Sequence, residues 1–302
     1  MMDVYLLGTG GTIPLLRRRL SAGMVRVNGK GILIDCGEGT QLALRECGLG
    51  FKNIDVICLT HFHADHTGGL AGLMLTMADS GRKEPVRMIG PEHLSHIMHS
   101  LLVVAPRLPF VLEFHEIEQS GQTFDFSGIH ITAFALEHNM PCYGYSFVVN
   151  RAPRFLPENA LALGIPKTDW GKLQRGESVR VGSELFKPEQ VLGGAREGLK
   201  VAYATDTRPA ANIAKYAEGA DLLICEGMYG ADEDKQHAHE RGHMTFGEAA
   251  ELARQAGVKE LWLTHYSPAL TNPKEHIEVA TGIFPNTKIG QDGMHTLLAF
   301  ED

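Results

Sequence analysis

No apolar run in this 302-residue chain approaches the ~18 residues needed to cross a bilayer; the longest, Gly68 to Ala78, is short and broken by glycine. The opening Met1-Met2-Asp3-Val4-Tyr5 has no basic residue and no apolar stretch behind it, so no signal peptide is expected. Cysteine is scarce. Cys36, Cys47, Cys58, Cys142 and Cys225 are odd in number, scattered and without a C-x-x-C pair, which argues against a disulfide framework and predicts reduced thiols in a cytoplasmic protein. An excess of basic charge is also missing: the formal net charge is −8, unlike a chain built to coat nucleic acid over its whole surface. There is no Walker A loop and no G-x-S-x-G elbow, so P-loop and serine-hydrolase chemistry lack their nucleating motifs. Gly8-Thr9-Gly10-Gly11-Thr12-Ile13 begins like a dinucleotide loop, but Ile13 takes the third glycine's place and Pro14 follows, leaving a tight turn.

What is present is an α/β pattern rich in turns, with 34 Gly and 14 Pro. Val4–Leu7, Gly31–Asp35, Asp55–Thr60 and Val86–Ile89 read as strands, Leu70–Ala78 as a helix, and Pro91 as the first turn of another. Val111 to Val149 is β-rich. Residues 150–198 carry more Pro, Gly and charge and read as an excursion from the main sheet. Alternation resumes with the strands Lys200–Thr205, Asp221–Cys225 and Leu261–Thr264, and with helices near Ala211–Glu218 and over Thr245–Ala256, the latter stopped by Gly257. Strand–helix alternation in both halves around a β-rich middle predicts two sheets packed face to face with helices outside, a four-layer αββα sandwich. Charge is uneven along this pattern. Five basic residues and no acid lie between Leu16 and Ile34, and Arg151 to Lys187 holds seven basic residues against four acids.

The strongest chemical signal is His61-Phe62-His63-Ala64-Asp65-His66, four metal-binding side chains directly after an apolar strand and before a helix. On extended backbone His61 and His63 share one side and can grip one ion; Asp65 and His66, at the helix start, point elsewhere and can grip a second. Further candidates lie at other strand ends: His138 after Ile129–Ala135, Asp206 after the strand ending at Ala204, and His265 after Leu263-Thr264. Open α/β sheets place their sites at such carboxyl ends, and together these residues complete a two-metal site. His93, His96 and His99 make an i, i+3, i+6 stripe that reads as a half-exposed helix face. His237 and His239, in an acidic and helix-poor stretch, read as solvated loop residues.

This set resembles the metallo-β-lactamase superfamily and, more narrowly, the ribonuclease Z family, over nearly the whole chain. The resemblance is carried by Leu7-Gly8-Thr9-Gly10, Ile34-Asp35-Cys36-Gly37-Glu38-Gly39-Thr40-Gln41, Leu59 to Leu70, His138 to Tyr145, Thr205-Asp206-Thr207-Arg208, Arg241-Gly242-His243-Met244-Thr245 and Leu263-Thr264-His265. It implies one metallo-β-lactamase-fold domain over 1–302 with an inserted arm near 150–198. It implies two Zn2+ per chain, with Mn2+ or another divalent ion also compatible. One ion falls on His61, His63 and His138, the second on Asp65, His66 and His265, and Asp206 bridges them. It gives Asp65 the role of proton acceptor, and His243 that of helping the transition state or the leaving group. Glu226 matches a family glutamate that partners this histidine, although Cys225 stands where the family has His.

The implied activity is removal of the 3′ trailer from precursor tRNA by a homodimer, through metal-activated water attack on phosphorus. The arm would grip the tRNA body, with Arg151, Arg154, Lys167, Lys172 and Arg175 as candidate contacts; Lys167-Thr168-Asp169 replaces the family's commoner Pro-Gly-Pro. The alternatives are the same scaffold hydrolysing a small phosphodiester or another ester, and a catalytically silent RNA-binding or scaffolding member.

Overall fold

The computed structural model describes residues 1–105 and 107–301. Sixteen strands are defined among them: β1 Met2–Gly8, β2 Ala22–Val27, β3 Lys30–Ile34, β4 Ile54–Cys58, β5 Val86–Gly90, β6 Leu112–Glu116, β7 Gln122–Phe126, β8 Ile129–Ala135, β9 Tyr143–Arg151, β10 Val179–Val181, β11 Glu184–Phe186, β12 Arg196–Ala204, β13 Leu222–Glu226, β14 Leu261–Thr264, β15 Thr287–Ile289 and β16 His295–Leu298. They form two seven-stranded sheets, ordered β16-β1-β2-β3-β4-β5-β6 and β15-β14-β13-β12-β9-β8-β7, and one hairpin, β10-β11. Within each large sheet four consecutive strands run parallel, β3 to β6 and β12 to β15. Parallel strands are covered on both faces, which is why they read as near-continuous apolar runs in the sequence.

The chain divides into two compact units. The first, residues 1–148 with 200–299, is the expected αββα arrangement. Leu33, Ile57 and Leu59 pack under the helices Thr40–Glu46, Leu70–Asp79 and Leu94–Leu101, while Ala202, Leu223 and Leu263 pack under Ala211–Ala217, Phe246–Ala256 and Ile277–Thr281. The other faces of the sheets meet: a Cβ on Gly23 of β2 would touch the Tyr203 ring of β12 at 3.3 Å. The buried Tyr145 hydroxyl of β9 donates to the Leu59 carbonyl at 2.6 Å, tying the ends of the two sheets together.

The second unit, residues 149–199 with 300–302, contains the helices Pro157–Ala162 and Lys167–Gln174 and the β10-β11 hairpin. It has its own small core of Ala160, Ile165, Leu173, Val179, Phe186 and Val191. No helix among the described residues is long and apolar enough to cross a membrane.

Two local expectations need correction. Pro91 does not open a helix: His93 sits at φ 74°, a left-handed turn, and the helix begins at Leu94. Glu116 explains the delay, because its carboxylate accepts the backbone N–H groups of His93 and Ser95, both at 3.1 Å, and caps the later start. His96 and His99 are exposed, as a solvent-facing stripe should be, but His93 lies outside the helix. The stretch around His237 and His239 is helical, over Lys235–Arg241. Asp232, Glu233 and Asp234 form the turn before it, where negative charge favours a helix N-terminus.

Candidate active site

The site assembles at the carboxyl ends of strands from both sheets, each of which stops where its apolar run does. β4 delivers His61 to His66, β8 leads to His138, β12 to Asp206 and β14 to His265. Three of the residues that follow strands, Asp35, Asp206 and His265, adopt the left-handed backbone at φ 57°, which costs a side-chain-bearing residue on the order of 1–3 kcal/mol. The strained turn aims each side chain back across the sheet ends. The turn after β1 passes so close that a Cβ on Gly11 would lie 2.6 Å from the His265 ring, so only glycine fits there. The next residue, Thr12, donates its N–H to Asp65 Oδ2 at 2.7 Å.

The donor atoms fall into three overlapping groups: His61, His63, His138 and Asp206; Asp65, His66 and His265; and Asp206, His243 and His265. The first two share no residue. In the first, His61 Nε2 lies 2.9 Å from His63 Nδ1, and Asp206 Oδ1 is 3.8 Å from His61 Nε2 and 3.9 Å from His138 Nε2. In the second, His66 Nε2 and His265 Nε2 are 3.2 Å apart and both lie 3.6 Å from Asp65 Oδ2. Asp206 turns its other oxygen to this set, with Oδ2 at 3.0 Å from His66 Nε2 and 3.1 Å from His265 Nε2. That oxygen is buried and makes no hydrogen bond despite two near nitrogens. A buried carboxylate oxygen left unbonded among imidazole nitrogens that crowd to 2.9–3.2 Å of one another points to a common third partner, and imidazole with carboxylate suits a borderline divalent ion.

Surrounding groups orient these rings. Asp35 Oδ2 lies 2.8 Å from His66 Nδ1, and its Oδ1 accepts the Thr60 N–H at 2.8 Å. The Gly242 carbonyl lies 3.3 Å from His138 Nδ1. Each acceptor holds the proton on Nδ1 and leaves the Nε2 lone pair facing the cluster. Electrostatics point the same way. Burial, reinforced by the neighbouring imidazoles, pushes His61 down to about 2, and burial also lowers His138, so both are neutral donors. Burial would raise Asp206, but His265, His66 and His61 outweigh it and hold the carboxyl well below its usual range. Burial would likewise lower His66, but Asp206 and Asp35 prevail and raise it well above the ordinary imidazole value. Two carboxylates that hold a proton there would hold a metal cation instead.

His243 lines the same cleft and converges with Asp206 and His265 in the third group, but it is absent from the first two. Its ring stacks at 5.5 Å on His265, its Nδ1 lies 3.2 Å from Glu226 Oε2, and its Nε2 has no hydrogen-bond partner among the described residues. Burial would lower its pKa, but the Glu226 charge and hydrogen bond raise it to about 9. Glu226 is fully buried and also accepts the Thr207 and Met244 backbone N–H groups. The pairing therefore forms with Cys225 as its neighbour; the Cys225 thiol points instead towards Met244 Sδ at 3.9 Å.

Sequence reasoning passed over several residues. Asp35 carried the signal that found Asp206, an acid directly after an apolar strand. Arg208 and Glu248 form a bidentate pair at 2.7 and 3.1 Å, and Arg208 also donates to the His243 carbonyl, clamping the loop that carries this histidine. Glu248 was legible from Thr245-x-x-Glu248, a capping box that the structure forms. In the second unit Arg154, Lys167, Lys172 and Arg175 are exposed, with Lys172 paired to Asp169 at 3.0 Å and Arg175 to Glu177 at 2.9 Å. Arg151 lies over the Phe300 ring.

Two seven-stranded sheets with helices outside, and a histidine–aspartate cluster at the strand ends, define a hydrolase of the metallo-β-lactamase type. Residues 154–266 match the β-lactamase superfamily domain, and residues 2–156 match the anti-Pycsar protein Apyc1 family. A ribonuclease Z of Lachnoclostridium phytofermentans is 50% identical over 301 residues, covering 100% of this chain and 99% of that protein; one of Clostridium acetobutylicum is 45% identical and covers 100% of both. The crystal structure of human tRNase Z, short form, superposes with a TM-score of 0.70 at 25% identity, covering 99% of this chain and 100% of the other. The Bacillus subtilis metallo-β-lactamase-fold protein YhfI, 20% identical with a TM-score of 0.71, shares the fold over 98% of both chains. The chain belongs to the ribonuclease Z family.

Proposed function

We propose that this chain is a metal-dependent endoribonuclease that removes the 3′ trailer from precursor tRNA. The observation that carries the reading is Asp206, whose two oxygens face two separate imidazole sets. His61, His63 and His138 would hold one ion, Asp65, His66 and His265 a second, and Asp206 both; the nitrogen-rich donor set favours zinc. Two such ions lower the pKa of a bound water and polarise the phosphoryl group. Asp65, held by the Thr12 N–H, is placed to accept the proton that water releases. His243, kept protonated and oriented by Glu226, is placed to give a proton to the departing oxygen. Arg208 fixes the His243 main chain through its carbonyl and acts as a positioning residue.

Recognition of tRNA falls to exposed cations. Base-paired RNA is read largely through shape and phosphates, which calls for Arg and Lys, and Arg154, Lys167 and Arg175 of the second unit, with Arg151 and Lys172, supply them. Family membership supports a homodimer, and five free cysteines support a reducing, cytoplasmic compartment. The test is incubation of metal-loaded protein with a tRNA precursor bearing a 3′ trailer. One endonucleolytic cut that releases the trailer is expected. An uncut precursor alongside rapid hydrolysis of a small phosphodiester would replace this reading with that of a small-substrate hydrolase.

A further inference from the structure

A second cavity, about 670 Å3 in volume, adjoins the one of about 400 Å3 that contains the donor cluster. The two share a wall made by His138, Asn139 and Arg241. Arg241 is the one Lys or Arg lining the cluster cavity, where Asp65 and Asp206 are the acids. It is exposed and makes no salt bridge or hydrogen bond among the described residues. The adjoining cavity's other arginine, Arg208, is neutralised by Glu248.

The backbone position of Arg241 is set by its neighbours. It ends the helix Lys235–Arg241 and is followed by Gly242, whose left-handed backbone at φ 76° puts its carbonyl on His138 Nδ1, and then by His243. His237, four residues earlier and so on the same helix face, lines the cluster cavity too, its ring 5.2 Å from that of Tyr229. An unpaired guanidinium thus stands at the boundary between the reaction cavity and an open groove beside it.

A small phosphodiester has one phosphate, and the ions would take it. An RNA strand carries further phosphates one nucleotide away, and these need a cation of their own. We propose that Arg241 binds the phosphate next to the one being cut, with Asn139 donating alongside it, and that the adjoining cavity receives the attached nucleotide. Guanidinium suits this task because its planar donors match phosphate oxygens in pairs. The inference rests on the ribonuclease reading above.

The test compares metal-loaded parent, Arg241→Ala and Arg241→Lys on precursor tRNA and on bis(p-nitrophenyl) phosphate, with metal content and precursor-tRNA affinity measured for each. Loss of a charge-assisted contact should lower kcat/KM on precursor tRNA by ~10–100-fold, while the single-phosphate ester changes by less than about threefold and metal content stays at the parent value. Arg241→Lys should recover part of the loss, and the salt dependence of RNA affinity should flatten by about one phosphate contact in Arg241→Ala. Arg254→Ala, which removes an exposed charge on the helix Phe246–Ala256, should match the parent and exclude a general charge effect. Equal losses on both substrates, or no loss on tRNA, would overturn the proposal while leaving the ribonuclease reading intact. A parent that hydrolyses the small ester but cannot cut tRNA would overturn the ribonuclease reading, and this one with it.

Discussion

The donor cluster of the first unit and the basic segment of the second obey opposite rules. His61, His66, Asp206 and His265 are almost wholly buried, arrive from both sheets, and are each positioned by a partner or by a strained turn. Arg154, Lys167, Lys172 and Arg175 are exposed, lie close together in sequence, and rest on a small core of six buried apolar side chains. Chemistry at phosphorus needs a few groups held in one geometry, whereas gripping a polyanion needs summed charge that water and salt already screen. The first region should therefore fail at a single substitution and the second only when several accumulate.

The largest effect belongs to Asp206. Asp206→Ala removes the one carboxylate that both imidazole sets face, and trailer removal should fall by at least ~10³-fold, read in a precursor-tRNA assay. Next is His243→Ala, which should lower turnover by ~10²–10⁴-fold with metal content unchanged. If that variant loses metal, the histidine is a ligand and the division between holding and reacting groups is wrong. Arg208→Lys keeps the charge but cannot both pair side-on with Glu248 and reach the His243 carbonyl. It should lower kcat about tenfold, the scale of one charge-assisted bond, with KM little changed; a change confined to KM would move Arg208 from positioning to substrate binding. Smallest are single changes in the basic segment. Arg154→Ala or Arg175→Ala should raise KM for precursor tRNA by no more than about threefold, as one screened surface charge does. The triple change with Lys167→Ala should raise it far more and flatten the salt dependence. A large effect from one of these alone would break the contrast from the other side.

The same contrast explains what could be read from the chain. The histidine cluster, His138, Asp206 and His265 were legible because a polar residue directly after a buried strand is conspicuous and the fold concentrates such residues at one edge. Asp35 was equally placed but needed the structure to show that His66 is what it holds. Arg208 and Glu248 lie 40 residues apart, and no local pattern pairs them. The helix at Lys235–Arg241 was hidden because its acidic lead-in reads as solvated loop, although the same charges stabilise a helix start. Pro91 misled for the converse reason: a favourable first-turn residue lost to a distant cap, Glu116.

Metal content decides whether Asp206 joins two metal sites. Elemental analysis of the purified parent should find close to two divalent ions per chain, and Asp206→Ala, folded by circular dichroism, should retain fewer than one. Two ions retained in Asp206→Ala, or a parent that binds only one, would mean that Asp206 does not join two metal sites.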